Sequence, residues 1–201
     1  MKHRLSCAYA FLCFTVLVWI SPAFAATPEG ITPVGIDGKP LNLNFEDGTL
    51  KDWIATGKAF EGQPIKGDTV AKRRSDMKSQ HVGSFWIGTY EIAGDEPQGT
   101  LTSAPFKVTH SFASFLIAGG ASPNTRVELV RADNERILFK TSGTDSENLR
   151  PVVVDLQPHL GKEIFIRIID QSSGGWGHIN FDDFKFYARR PTFDNELDPA
   201  Q

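Results

Sequence analysis

The stretch Asp170-Gln-Ser-Ser-Gly-Gly-Trp-Gly-His-Ile-Asn-Phe-Asp-Asp-Phe-Lys-Phe-Tyr187 decides the fold. A β-branched run, Ile164 to Ile169, leads into it and predicts a strand. A loop with three glycines, Trp176 and His178 follows, and a second strand, Ile179 to Tyr187, leaves the loop. Glycine tolerates positive φ and lets the backbone approach other groups closely, so such a loop presents Trp176 and His178 at a fixed place. Within the second strand Ile179 and Phe181 share one face, whereas strict alternation puts Phe184 and Phe186 on the other. Serving one core with all four requires a one-residue slip near Asp182-Asp183, and a β-bulge is the simplest device for it.

Working outward, short β-type runs recur from Gly83 onward, separated by turn residues. They are Ser84 to Ile87, Gly99 to Thr102, Phe112 to Ile117, Thr125 to Val130, Arg136 to Lys140 and Val152 to Leu156, followed by the two strands above. Many short strands with glycine and proline between them indicate an all-β sandwich or barrel. Leu41-Asn-Leu-Asn-Phe45 alternates as a half-buried strand does. Asp155 to Gly161 is the one window suited to a helical turn, with Leu156 and Leu160 inward and Gly161 ending it. The segment Glu61 to Gln80, with Lys72-Arg73-Arg74, reads as a surface loop carrying a solvated basic cluster.

The N-terminus reads as an export signal. Lys2 and Arg4 precede the apolar run Leu5 to Ile20, and Ser-Pro-Ala-Phe-Ala25 supplies a small-residue cleavage pattern. The run is shorter than the roughly 20 residues of a spanning helix. A signal peptide over residues 1–25 is expected, and with it a periplasmic or secreted protein with no membrane span after cleavage. A flexible leader (26–40), one domain (41–188) and a polar tail (189–201) would then follow. Both cysteines, Cys7 and Cys13, lie in the signal, so the mature chain is expected to have neither a disulfide nor thiolate chemistry. The sequence carries 21 Lys and Arg against 24 Asp and Glu. That mild acidity argues against nucleic acid as the partner.

The strand–Asp-Leu-x-x-x-x-Gly-Lys–strand pattern at Val152 to Ile168 resembles galactose-binding-like jelly rolls, the fold of many carbohydrate-binding modules. Asn44-Phe-Glu-Asp-Gly-Thr-Leu-Lys-Asp-Trp53, Ala93-Gly-Asp95, Gly99 to Ser103, Phe115 to Gly120 and Gly174-Gly-Trp-Gly-His-Ile-Asn180 resemble the β-sandwich module of levanase-type glycoside hydrolases. They also resemble a module of exported planctomycete proteins that carry cytochrome domains. The resemblance covers Leu41 to Tyr187. It implies a jelly-roll β-sandwich of two antiparallel sheets, acting as an accessory domain that binds glycan or a partner protein. This sequence has neither a hydrolase domain nor a Cys-x-x-Cys-His haem motif, so no activity of the host enzymes is carried over.

In jelly rolls similar to this one the first and last strands lie side by side. Glu46 and Asp183, with Asp182, would then be placed to hold a structural calcium ion, ahead of Asp47. The alternative is that all are surface carboxylates at turns. For a ligand, a sugar face stacks on an aromatic ring while its hydroxyls need polar partners. Tyr90, Glu91 and Asp95 in one loop, Arg126 after another, and Asp170, Trp176 and His178 in a third are the candidate contacts. Trp53 and Trp86 read as core. No nucleophile elbow, zinc-protease motif or phosphate loop is present, so a non-catalytic exported module is expected, with carbohydrate as ligand. The competing expectation is a structural or protein-interaction domain of a larger exported complex, in which the glycine-tryptophan loop is architectural. Oligomeric state is not legible.

Overall fold

Alternation dictates the layers. Val127 and Leu129 of one strand and Ile164, Ile166 and Ile168 of its neighbour are fully buried, and the residues between them turn to the opposite face. The computed structural model describes residues 29–198. Its strands are β1 Trp53–Gly57, β2 Ile65–Lys66, β3 Phe85–Gly88, β4 Gly99–Ser103, β5 Phe106–Lys107, β6 Phe112–Gly119, β7 Thr125–Arg131, β8 Ile137–Ser142, β9 Ser146–Asp155, β10 Glu163–Asp170 and β11 Ile179–Tyr187. Two short helices, α1 Thr69–Arg73 and α2 Tyr90–Ala93, and a 3-10 turn, Gln157–His159, interrupt them.

One sheet runs β1-β4-β10-β7-β8, with β5 also on β10. The other runs β2-β3-β11-β6-β9, and every pairing is antiparallel. This is the expected all-β jelly-roll sandwich. Its core joins aliphatic residues of the first sheet to a phenylalanine cluster of the second. Phe181, Phe184 and Phe186 of β11 are all buried, because the register against β6 shifts between Asp182 and Lys185. The bulge anticipated at Asp182-Asp183 is therefore present, with Asp183 at φ +52°. Trp53 lies in this core, stacked on Phe45, and its indole donates to the Asn42 carbonyl at 2.8 Å. Trp86 is fully buried in a second, smaller cluster with Ile65, Val70, Ala118 and Leu149.

Several boundaries differ from expectation. Leu41, Leu43 and Phe45 are buried, as alternation implied, yet they form turns rather than a strand, and Phe45 sits at φ +58°. The leader is pinned from Ile31, which exchanges two backbone hydrogen bonds with Phe186. In the tail, Leu197 is buried and donates to the Pro151 carbonyl, and Arg150 donates to the carbonyls of Asn195 and Glu196. The presumed surface loop at 61–80 contains both β2 and α1. The signal peptide lies outside the described residues. No helix among the described residues is long and apolar enough to cross a membrane.

Candidate functional site

The loop after β10 is shaped by close backbone approach. A Cβ on Gly177 would stand 2.5 Å from the Gly174 carbonyl oxygen, and one on Gly120 would stand 2.0 Å from that of Trp176. Only glycine fits at both positions. Gly174 and Gly175 face open space instead. The turn closes with Gly177 N–H donating to the Gly174 carbonyl at 2.8 Å, and Trp176 itself sits at φ +60°. The indole is left half-buried, its ring 5.4 Å from that of His178.

Across from the loop stand the two helices. Asp68 caps α1 by accepting from the Ala71 amide at 2.9 Å, and also accepts from the Ser79 amide. This places Arg73, in the last turn, beside α2. Arg73 Nη2 donates to Glu91 Oε1 at 2.5 Å and to Glu147 Oε1 at 2.7 Å, and its guanidinium lies 4.4 Å from the centre of the Tyr90 ring. Glu147 Oε2 accepts from Asn180 Nδ2 at 3.1 Å. His178 Nδ1 lies 2.7 Å from Asp95 Oδ1. A carboxylate only accepts, so Nδ1 carries the proton. Nε2 is 3.5 Å from Glu147 Oε2, within ion-pairing distance but without a hydrogen bond. Burial alone would lower the His178 pKa, but contacts to Glu147 and Asp95 outweigh it and raise the value. Burial likewise opposes ionisation of Glu147; the nearby His178 imidazole and hydrogen bonds from Arg73 and Asn180 overcome it, holding the carboxyl at about 2.

Arg73, Arg74, Tyr90, Asp95, Glu147, Gly175, Trp176 and His178 line a hollow of about 220 Å³. Sequence reasoning placed four of these side chains there: Tyr90, Asp95, Trp176 and His178. The indole is reachable, whereas the imidazole is only 3 % exposed and forms the floor. Glu91 is covered and acts through Arg73. Asp170 is buried at the end of β10, its Oδ1 without a partner among the described residues, and burial raises its pKa to about 6. Arg126 is not brought to the hollow. It lies on the outer face of the β7 sheet, donating to Glu128 Oε1 and the Pro123 carbonyl. Arg73 and Glu147 escaped the sequence reading. Arg73 lay in an apparently solvated basic cluster, and Glu147 preceded the predicted start of β9. A signal for Glu147 did exist, because it shares a strand face with Leu149 and Pro151.

The carboxylates expected to hold calcium have other tasks. Glu46 accepts from the amides of Ser84 and Phe85 at 2.8–3.0 Å. Asp183 pairs with Lys185 Nζ at 3.0 Å, and Asp182 accepts from the Val82 amide, leaving only its Oδ1 unpartnered. Calcium needs six to eight oxygens, and among the described residues no group of three or more acidic, histidine or cysteine side chains is placed to hold a metal. The residues present do not fit the ion.

No family model matches the chain. It is 31% identical over 142 residues to a protein named as a glycosyl hydrolase, ecdE of Aspergillus rugulosus, covering 71% of this chain. The match spans 20% of that relative's length. Among solved structures, the chain is similar to TmCBM61 in complex with β-1,4-galactotriose, with a TM-score of 0.44, 18% identity and coverage of 72% of this chain and 93% of that one. It is also similar to the K1 cleaved adhesin domain of Lys-gingipain from Porphyromonas gingivalis W83, with a TM-score of 0.43, 17% identity and coverage of 73% and 96%.

Proposed function

We propose that this chain is an exported, non-catalytic binding module whose ligand is a carbohydrate, seated on Trp176. The observation that carries this reading is the half-buried indole at the lip of a polar hollow. Asp95 Oδ2, Tyr90 Oη and Trp176 Nε1 are without hydrogen-bond partners among the described residues. An apolar ring face beside a few uncommitted donors and acceptors suits a sugar, which stacks by its C–H face and hydrogen-bonds by its hydroxyls. The hollow is smaller than the roughly 300–1,000 Å³ of pockets that enclose whole ligands, so it would take a single terminal residue.

Two features favour binding over glycosidic chemistry. General acid catalysis needs a carboxyl that is protonated near working pH and reaches the ligand. Glu147 is held ionised with its oxygens occupied. Asp170, whose pKa is raised to about 6, is buried and does not line the hollow. The match to a named glycosyl hydrolase over a fifth of its length fits an accessory module beside a catalytic domain. The resemblance to levanase-attached and planctomycete modules points the same way.

A protein-interaction role is the second reading. It is favoured by Ile31, Val34 and Ile36, exposed apolar residues on the pinned N-terminal arm, with Ile36 fully exposed. A glycan array with the wild type and Trp176→Ala separates the two. The carbohydrate reading predicts a sugar signal that falls at least tenfold in the variant at unchanged melting temperature. A blank array for a folded wild type would leave the interaction reading.

A further inference from the structure

An antiparallel sandwich ends in open edges, and each must be short, covered or charged if further strands are not to add to it. In the second sheet β2 is only two residues long. Its other edge, β9, is covered: Leu149 donates to the Ser79 carbonyl, and the Pro151 carbonyl accepts from Leu197 of the tail. In the first sheet β8 carries Lys140 within the strand. The remaining edge, β1, has none of these protections. It pairs with β4 on one side and with no strand on the other, without a register shift. Every residue after Trp53 is exposed, Ile54 to 72 %.

Hydrogen bonds just beyond its two ends fix which backbone groups are in use. Ala104 donates to the Asp52 carbonyl, and Lys58 donates to that of Gln98. The ladder to β4 therefore takes the even-numbered residues. The N–H and C=O of Ala55 turn to the free edge, with the Trp53 C=O and the Gly57 N–H beside them.

This edge is complementary to itself. When two copies pair antiparallel about Ala55, Asp52 of one stands opposite the partner's Lys58, and the reverse. Ile54 stands opposite the partner's Thr56. These are the non-hydrogen-bonded positions, where side chains approach most closely. Asp52 spends Oδ2 on the Asn42 amide, leaving Oδ1, and Lys58 has no ion pair among the described residues. Centring the pair on Trp53 or Gly57 instead would lose both charge contacts. We infer that the free edge of β1 is a self-association surface, which takes the same edge of a second copy of this chain in antiparallel register about Ala55.

Sedimentation of the full protein over a concentration series is expected to show a monomer–dimer equilibrium. Amide exchange followed by NMR is expected to slow at Ala55 and Gly57 as concentration rises. Ala55→Pro removes an edge donor without touching the ladder to β4, and should raise the dimer Kd at least roughly tenfold. Lys58→Glu sets a carboxylate opposite the partner's Asp52. It should raise Kd roughly threefold or more, an increase that shrinks in high salt. A chain that stays monomeric at every concentration overturns the inference. So does a dimer in which Ala55 exchanges as fast as in the monomer, or one lost on Ile36→Ser but kept on Lys58→Glu, which places the contact on the N-terminal arm. The exchange measurement uses the wild type, so it decides the matter even if Ala55→Pro fails to fold.

Discussion

At Glu147 one carboxylate joins three elements, accepting from Arg73 of α1 and Asn180 of β11 while standing 3.5 Å from His178. Its folded pKa is about 2 against an ordinary 4.5. A depressed carboxyl stabilises the fold above its unfolded pKa, and that contribution fades as pH falls through the folded value. Glu147→Gln should therefore destabilise by about 2–3 kcal/mol at pH 6, below the full cost of breaking a buried pair because Arg73 is partly solvated. The deficit should shrink between pH 4.5 and 2 in chemical-denaturation series. Asp170 behaves oppositely. Its pKa is raised from 3.8 to about 6 by burial, so the folded state binds the proton more tightly and stability drops as pH rises through that window. Asp170→Asn should match the wild type near pH 3.5 and exceed it by up to about 3 kcal/mol at pH 7. A variant that is less stable at pH 7 would contradict this. Neither role was legible in the sequence. Charge pairing across 74 residues, as between Arg73 and Glu147, has no local periodicity to betray it.

Among the elements, β11 carries the most readable signal. Four apolar residues cannot share a face under strict alternation, so the chain's own spacing demanded a bulge, and the register shift between Asp182 and Lys185 supplies it. Phe184 lies within that shift and is buried against Phe106, Phe115 and Phe186. Phe184→Ala should cost about 3–5 kcal/mol, measured as the change in denaturation free energy. Alternation was a poorer guide at Leu41 to Phe45. There it identified the buried residues but not the backbone, because Phe45 adopts positive φ and the segment turns. In the loop after β10, glycine content exceeded glycine need. Gly177→Ala would drive a Cβ against the Gly174 carbonyl and should both destabilise and weaken binding, whereas Gly175→Ala has open space around it. Equal effects of the two on sugar affinity would contradict the loop's proposed geometry. The short helices α1 and α2 were missed because four or five residues are too few to show a 3.6 period.

Over the whole molecule, the sandwich was legible from strand spacing, and one glycine-rich loop and its neighbour hold four candidate residues, Tyr90, Asp95, Trp176 and His178, that line one hollow. Arg126 was misplaced for a reason of scale. Knowing that Arg126 lies near the start of a strand does not say which face of which sheet it occupies, and it lies outside the hollow with Glu128. The calcium expectation belongs to this scale too. With Glu46 bound to backbone amides and Asp183 to Lys185, chelator should leave the melting midpoint unchanged. A midpoint raised by added calcium would show a donor set formed by rearrangement, since a ligand that binds only the folded state must raise it. The sugar proposed as ligand would dock on the Trp176 hollow. Such docking is tested most directly by mapping NMR shift changes on the labelled protein during titration with whichever saccharide the array selects. The Trp176 indole N–H should shift most, with Asp95, Tyr90 and Gly175 around it. Shifts centred on the Arg126 and Glu128 face, with the indole signal still, would contradict it.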